Sequence, residues 1–167
     1  MAPRMLDLPL GGSLPEGWYV KESTSHPGHV YFYHPESGKV QWKSPPPSEV
    51  RCYHVLLKHT GSRKPFSKAR NAMATRTPEE AKAGIISIIA ELKAGAGEGG
   101  DVELAAFSKV ASERSDCSSF TRGGDLGKFG RGAMQPSFEQ AAFELQVGEM
   151  SDVVQSQSGF HVIMRTA

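Results

Sequence analysis

The sequence holds too little cysteine to be built on disulfides. Its two, Cys52 and Cys117, are too few for a cross-linked framework, so a reducing compartment is expected. Net charge is equally scarce: 19 Lys and Arg stand against 18 Asp and Glu. That balance gives no general reason to expect nucleic acid or a membrane surface as partner, so any preference for anions has to be local. Long apolar runs are missing from the N-terminus. MAPRMLDLPLGG has one early arginine but no continuous apolar core, and reads neither as a signal peptide nor as a membrane span. Residues 1–12 are therefore expected to form a disordered tail, and the expected locations are nucleus and cytoplasm. A chain of 167 residues has room for one ordinary domain and a small module.

Aromatic residues are present but unevenly spread. Both tryptophans and three of the four tyrosines precede Pro45-Pro46-Pro47. A proline run cannot continue a sheet and favours an extended chain. The expected organisation is a small all-β unit at 13–46, a short stiff linker at 47–50 and a larger unit at 51–167. In the first, strands are expected at Trp18–Val20, Val30–His34 and Val40–Trp42, with turns at Ser25–Gly28 and Ser37-Gly38. The second reads β-α-α-β-α-β-β, an α+β pattern. Its first strand runs from Val50 to His59. Thr77, Pro78 and Glu80 form a helix start, followed by Ala81, Ile85, Ile88, Ile89 and Leu92 at helical spacing, with Gly95 as a stop. A second helix from about Asp101 carries Leu104, Phe107, Val110 and Ala111, and a third carries Phe138, Ala142 and Leu145. Closing strands fall at Val153-Val154 and Phe160–Met164. The glycine-rich 94–100 segment reads as a flexible surface insertion.

Strand periodicity puts His54 and Lys58 on one face of the first strand, and His161 lies in another strand. Cys117 with either histidine is compatible with a thiol hydrolase dyad, which also needs an oxyanion hole. The three together could bind zinc, though a structural site wants a fourth ligand. Neither accounts for the cations Lys58, Arg63 and Lys64, which have few acidic neighbours in sequence.

Four blocks carry a resemblance. Ser115–Ser119 around Cys117, Gly124-Asp125-Leu126-Gly127, Gly148-Glu149-Met150 and Ser158-Gly159-Phe160-His161 together resemble the parvulin family of peptidyl-prolyl isomerases, over residues 51–167. The resemblance implies an FKBP-like four-stranded antiparallel sheet with surrounding helices. It places Cys117, His54, His161 and Ser158 at a catalytic centre. Leu126, Met134 and Phe138 would form a proline pocket, with Gln135 and Ser158 at its polar edge. Lys58, Arg63 and Lys64 match the loop that confers phosphate specificity in some members, where converging cations supply charge-assisted bonds. One departure is that Ser137 separates Pro136 from Phe138.

The N-terminal unit resembles a WW domain in Leu14–Trp18, the aromatic triplet at 31–33, Trp42 and Pro45. That likeness implies a three-stranded antiparallel sheet closed by Trp18 and Pro45. Tyr31, Trp42 and Ser23 would clamp a proline-rich ligand in polyproline conformation. Its first loop, Ser23–His29, has no arginine, which weakens the case for phosphate binding there. Together the resemblances imply an isomerase of phosphoSer/Thr-Pro bonds that acts as a monomer without cofactor or metal. Expected partners are phosphoproteins, among them mitotic regulators and the RNA polymerase II C-terminal tail. The alternative is a phosphopeptide-binding adaptor with little catalysis.

Overall fold

The structure, a computed structural model, describes residues 14–97 and 100–167. The tail expected at 1–12 lies outside those residues, as do residues 98–99 of the glycine-rich segment. Two compact units divide between Ser48 and Glu49. No helix among the described residues is long and apolar enough to cross a membrane.

In the N-terminal unit, β1 (Tyr19–Glu22), β2 (Val30–His34) and β3 (Lys39–Gln41) form an antiparallel meander in that order. Alternation along β2 sets its faces: Val30 and Phe32 are buried, while Tyr31 and Tyr33 are only partly covered. Tyr19 stacks on Tyr33 across the ladder, ring centroids 5.5 Å apart. Gly28 and Gly38, with φ of 80° and 68°, take the left-handed positions that the two turns require. Trp18 lies edge-on to His34, and Pro45 is buried.

The C-terminal unit is a four-stranded antiparallel sheet with helices on both faces. Its elements are β4 (Glu49–Leu57), a small hairpin of β5 (Phe66–Ser67) and β6 (Ala72–Met73), α1 (Pro78–Gly95), α2 (Leu104–Arg114), β7 (Asp125–Gly130), α3 (Pro136–Glu144), β8 (Val154–Ser156) and β9 (Gly159–Arg165). The sheet order is β7-β4-β9-β8. Period two sorts the central strands. Val55 and Leu57 of β4, with Phe160, Val162 and Met164 of β9, pack on Ala81, Ile85 and Ile88 of α1 and Phe107 and Ala111 of α2. Val50 and Cys52 of β4, Phe129 of β7 and Ile163 of β9 pack on Phe138, Ala142 and Phe143 of α3. His54 and His161 have the parity of this second set, so both belong to the α3 face.

α1 begins where its sequence dictates. Glu80 N–H donates to Thr77 Oγ1 at 3.2 Å, and Thr77 N–H donates to Glu80 Oε2 at 2.7 Å. Such a reciprocal cap is worth about 1 kcal/mol. Some details differ from expectation. α2 starts at Leu104 rather than near Asp101. β4 stops at Leu57 rather than His59, because Lys58 N–H leaves the ladder and donates to the Asp116 carboxylate. The β5–β6 hairpin was not legible as strand, being two residues on each side. The displaced Pro136 proves harmless: it takes the first position of α3, where a missing N–H costs nothing.

Candidate active site

Two hydrogen bonds lay the segment before Cys117 along β4, and a third steadies the segment itself. Asp116 N–H donates to Leu56 O at 2.7 Å, and Ser115 Oγ accepts from Leu56 N–H at 3.1 Å and from Cys117 N–H at 3.3 Å. Further on, Gly124 O accepts from His54 N–H at 3.0 Å. A side chain could not be tolerated there. Gly124 has φ +87°, and a Cβ would meet His54 O at 2.5 Å. The cysteine loop is thereby clamped to the strand that bears His54.

On the α3 face His54 and His161 stack at 5.3 Å, with their Nδ1 atoms 3.1 Å apart, so one donates and the other accepts. His161 Nε2 lies 2.7 Å from Ser156 Oγ, which also accepts from Ser158 N–H at 3.1 Å. Both rings are buried. Burial, and then the neighbouring His54, hold the pKa of His161 well below its ordinary range, so its ring is neutral at physiological pH. Cys117 is half-buried. Burial alone would push its thiol up, but the hydrogen-bonding and electrostatic pull of His54, together with Ser119, outweighs it and brings the pKa down to about 6. Among the described residues, His54 Nε2 and Ser119 Oγ are the buried side-chain polar atoms without a hydrogen bond of ordinary geometry. Both belong to residues that pull on this sulfur. The second cysteine behaves oppositely: burial pushes Cys52 up to about 12.

Phe138 presents an edge to both histidines, at 5.5 and 5.2 Å. Leu126 and Met134 are partly buried against the same cluster. Gln135 Nε2 donates to Ser158 Oγ at 2.7 Å, and Gln135 Oε1 accepts from Gln157 N–H at 2.9 Å. An apolar wall with a polar rim thus adjoins the histidine pair. It can receive a small saturated ring and hold the adjoining backbone.

Lys58 is half-buried at the end of β4, its Nζ donating to Phe66 O at 2.7 Å. Arg63 and Lys64 are exposed, and Arg63 N–H donates to Gln157 O at 2.8 Å. Among the described residues no carboxylate pairs with any of these three. Arg70 and Arg76 do pair, both with Asp116, whose side chain is wholly buried. Sequence reasoning passed over Asp116, Arg70, Arg76 and Ser156. Asp116 stood inside a quoted motif, but only the fold reveals its partners. In the N-terminal unit Tyr31 and Trp42 meet edge to face at 6.1 Å, and Trp42 is 40% exposed. His26 lies edge-on to Trp42 at 5.4 Å. Ser23 is buried, its Oγ accepting from His26 N–H at 3.1 Å. Among the described residues no cluster of three or more His, Cys, Asp or Glu could hold a metal ion.

Residues 54–167 match the rotamase family described as the PPIC-type PPIASE domain. The chain belongs to this family of peptidyl-prolyl cis-trans isomerases, the parvulins. It is 44% identical to the peptidyl-prolyl cis-trans isomerase ESS1 of Saccharomyces cerevisiae, over 91% of this chain and 93% of that one. Against peptidyl-prolyl cis-trans isomerase NIMA-interacting 1 of Theileria annulata the identity is 44%, covering 71% of this chain and 80% of the relative. Among solved structures, the isomerase ESS1 from Candida albicans superposes with a TM-score of 0.65 at 32% identity, covering 92% and 96% of the two chains.

Proposed function

We propose that this isomerase acts on X-Pro bonds in which X is phosphoserine or phosphothreonine. The observation that carries the reading is the set of three cations without a carboxylate partner among the described residues, Lys58, Arg63 and Lys64, in the unit that holds the histidine pair and the apolar wall. A phosphate carries between about one and two negative charges at neutral pH and three acceptor oxygens, which such cations satisfy with charge-assisted bonds.

Rotation about the bond before proline opposes amide resonance, with a barrier of about 18–20 kcal/mol. No bond needs to break. Catalysis requires only that the twisted amide be favoured over the planar one, at about 1.4 kcal/mol for each tenfold in rate. Leu126, Met134 and Phe138 hold the proline ring, and the cations hold the residue before it. The planar amide places extra negative charge on its oxygen; the twisted form loses it. An ionised Cys117 sulfur beside that oxygen raises the planar state more than the twisted one, without forming a covalent bond. His54, His161, Ser156 and Ser158 keep the sulfur and the polar rim in place.

Residues 13–46 act as a WW module that brings the enzyme to proline-directed motifs through Tyr31 and Trp42, with Ser23 shaping the loop beside them. The missing loop arginine favours proline over phosphate recognition there. Targets are phosphoproteins bearing such motifs, including mitotic regulators and the RNA polymerase II C-terminal tail. The name of the Theileria relative, NIMA-interacting, is in keeping with partners of this kind. The proposed protein is monomeric, resides in nucleus and cytoplasm, and uses no cofactor.

A protease-coupled isomerisation assay on matched pSer-Pro and Ser-Pro peptides tests the reading. Faster exchange of the phosphorylated peptide supports it. Equal rates would remove the phosphate preference, and binding without acceleration would make the chain an adaptor.

A further inference from the structure

A wholly buried carboxylate is costly unless several donors meet it. Asp116 has them. Its Oδ1 accepts from Ser67 Oγ at 2.7 Å and pairs with Arg70; its Oδ2 accepts from Lys58 N–H at 2.9 Å and from Arg76 Nη1 at 2.7 Å. The four donors come from three separate places: the end of β4, the β5–β6 hairpin with its turn, and the segment just before α1. Arg63 and Lys64 lie between the first two. Asp116 itself adjoins Cys117 in sequence and is tied to Leu56 O through its own N–H. One carboxylate therefore anchors both ends of the cationic loop to the residue next to the reactive thiol. Two cations of the region, Arg70 and Arg76, are already committed to it, while Lys58, Arg63 and Lys64 pair with no carboxylate among the described residues.

Resting on the phosphate-directed reading above, we propose that Asp116 is the positioning residue of the phosphate subsite: it sets the cationic loop at a fixed distance from Cys117. A bound phosphate then places the rotating X-Pro amide where the sulfur and the ring-binding wall act on it. The carboxylate is shielded from solvent and touches neither phosphate nor proline. Its effect passes through Lys58, whose N–H it holds, and through the hairpin, whose Phe66 carbonyl holds the Lys58 ammonium.

The test compares kcat and KM for matched pSer-Pro and Ser-Pro peptides in wild type, Asp116→Asn and Ser67→Ala. Asp116→Asn keeps the shape and removes the charge; Ser67→Ala removes one bond from the hairpin and leaves every charge in place. The ratio of kcat/KM for the phosphorylated over the plain peptide is expected to fall at least tenfold in Asp116→Asn and about threefold in Ser67→Ala, chiefly through KM for the phosphopeptide. A merely structural role would lower both substrates together and leave the ratio standing. Should Asp116→Asn fail to fold by thermal melting, Ser67→Ala decides alone. An unchanged ratio in a folded variant overturns the inference. A wild-type enzyme with no preference between the two peptides would instead overturn the phosphate-directed reading on which it rests.

Discussion

At the scale of single residues, the two cysteines show how one side chain acquires two chemistries. Cys52 is enclosed by the apolar contacts of α3 and the sheet, and burial, outweighing the opposing pull of Arg165, keeps its thiol protonated. Cys117 is only half-buried, and His54 and Ser119 stabilise its ionised form, so the thiolate dominates above about pH 6. Alkylation of the native protein by iodoacetamide should therefore modify Cys117 alone. Its rate should climb as pH rises through about 6 and level off well before pH 9. The sign follows from the lowered pKa: more thiolate on the alkaline side, with saturation once ionisation is complete. His54→Asn removes the largest stabilising influence and should move the midpoint upward; an unmoved midpoint would detach His54 from the thiol. Activity should follow the same charge. Cys117→Ala is expected to lose most turnover while keeping its melting temperature. Cys117→Asp restores an anion at that place and should lose less. Full activity in the alanine variant would end the electrostatic account.

At the scale of elements, the decisive feature is the loop between β4 and α1. Replacing both Arg63 and Lys64 by alanine should lower kcat/KM for pSer-Pro peptides by ten- to a hundredfold. Each lost charge-assisted bond to an exposed phosphate is worth about 1 kcal/mol or more. The plain Ser-Pro peptide should suffer far less, and equal losses on both would make the two cations structural. The same loop marks the limit of what the sequence discloses. The helices were legible because their signals are local: Thr77 and Glu80 cap α1, and Ile85, Ile88 and Leu92 recur at helical spacing on its buried side. His54 and His161 could be assigned to strands by period two, and the family blocks put Cys117 beside them. The hairpin and the Asp116 hub were not legible. Phe66 pairs with Met73 although both side chains are exposed, so no apolar alternation announces the strands. Arg70 and Arg76 look like solvated surface charges until the fold brings them to a carboxylate forty or more positions away. Ser156 was missed for a similar reason, since a serine in a polar run gives no sign that a buried histidine requires it.

At the scale of the whole molecule, the two units are proposed to offer two kinds of proline recognition. In that proposal the C-terminal unit adds phosphate recognition and catalysis to its grip on proline. The N-terminal unit offers Tyr31 and Trp42, with His26 in a T-shaped contact with the tryptophan. The two functions should separate in Trp42→Ala. The substitution removes one jaw of the proposed clamp and leaves the residues of the C-terminal site unchanged. Turnover of a short peptide with one pSer-Pro motif should stay within about twofold of wild type, because such a peptide needs only the catalytic unit. Binding of a longer peptide with two motifs should weaken by ten- to a hundredfold. Tethering makes the second contact intramolecular, at an effective concentration of order mM for short linkers, and that gain vanishes when one site is lost. Titrating full-length protein and variant with one-motif and two-motif phosphopeptides gives the answer in a single comparison. If the two-motif peptide bound the variant as tightly as wild type, the N-terminal aromatics would contribute only to the packing of their own sheet.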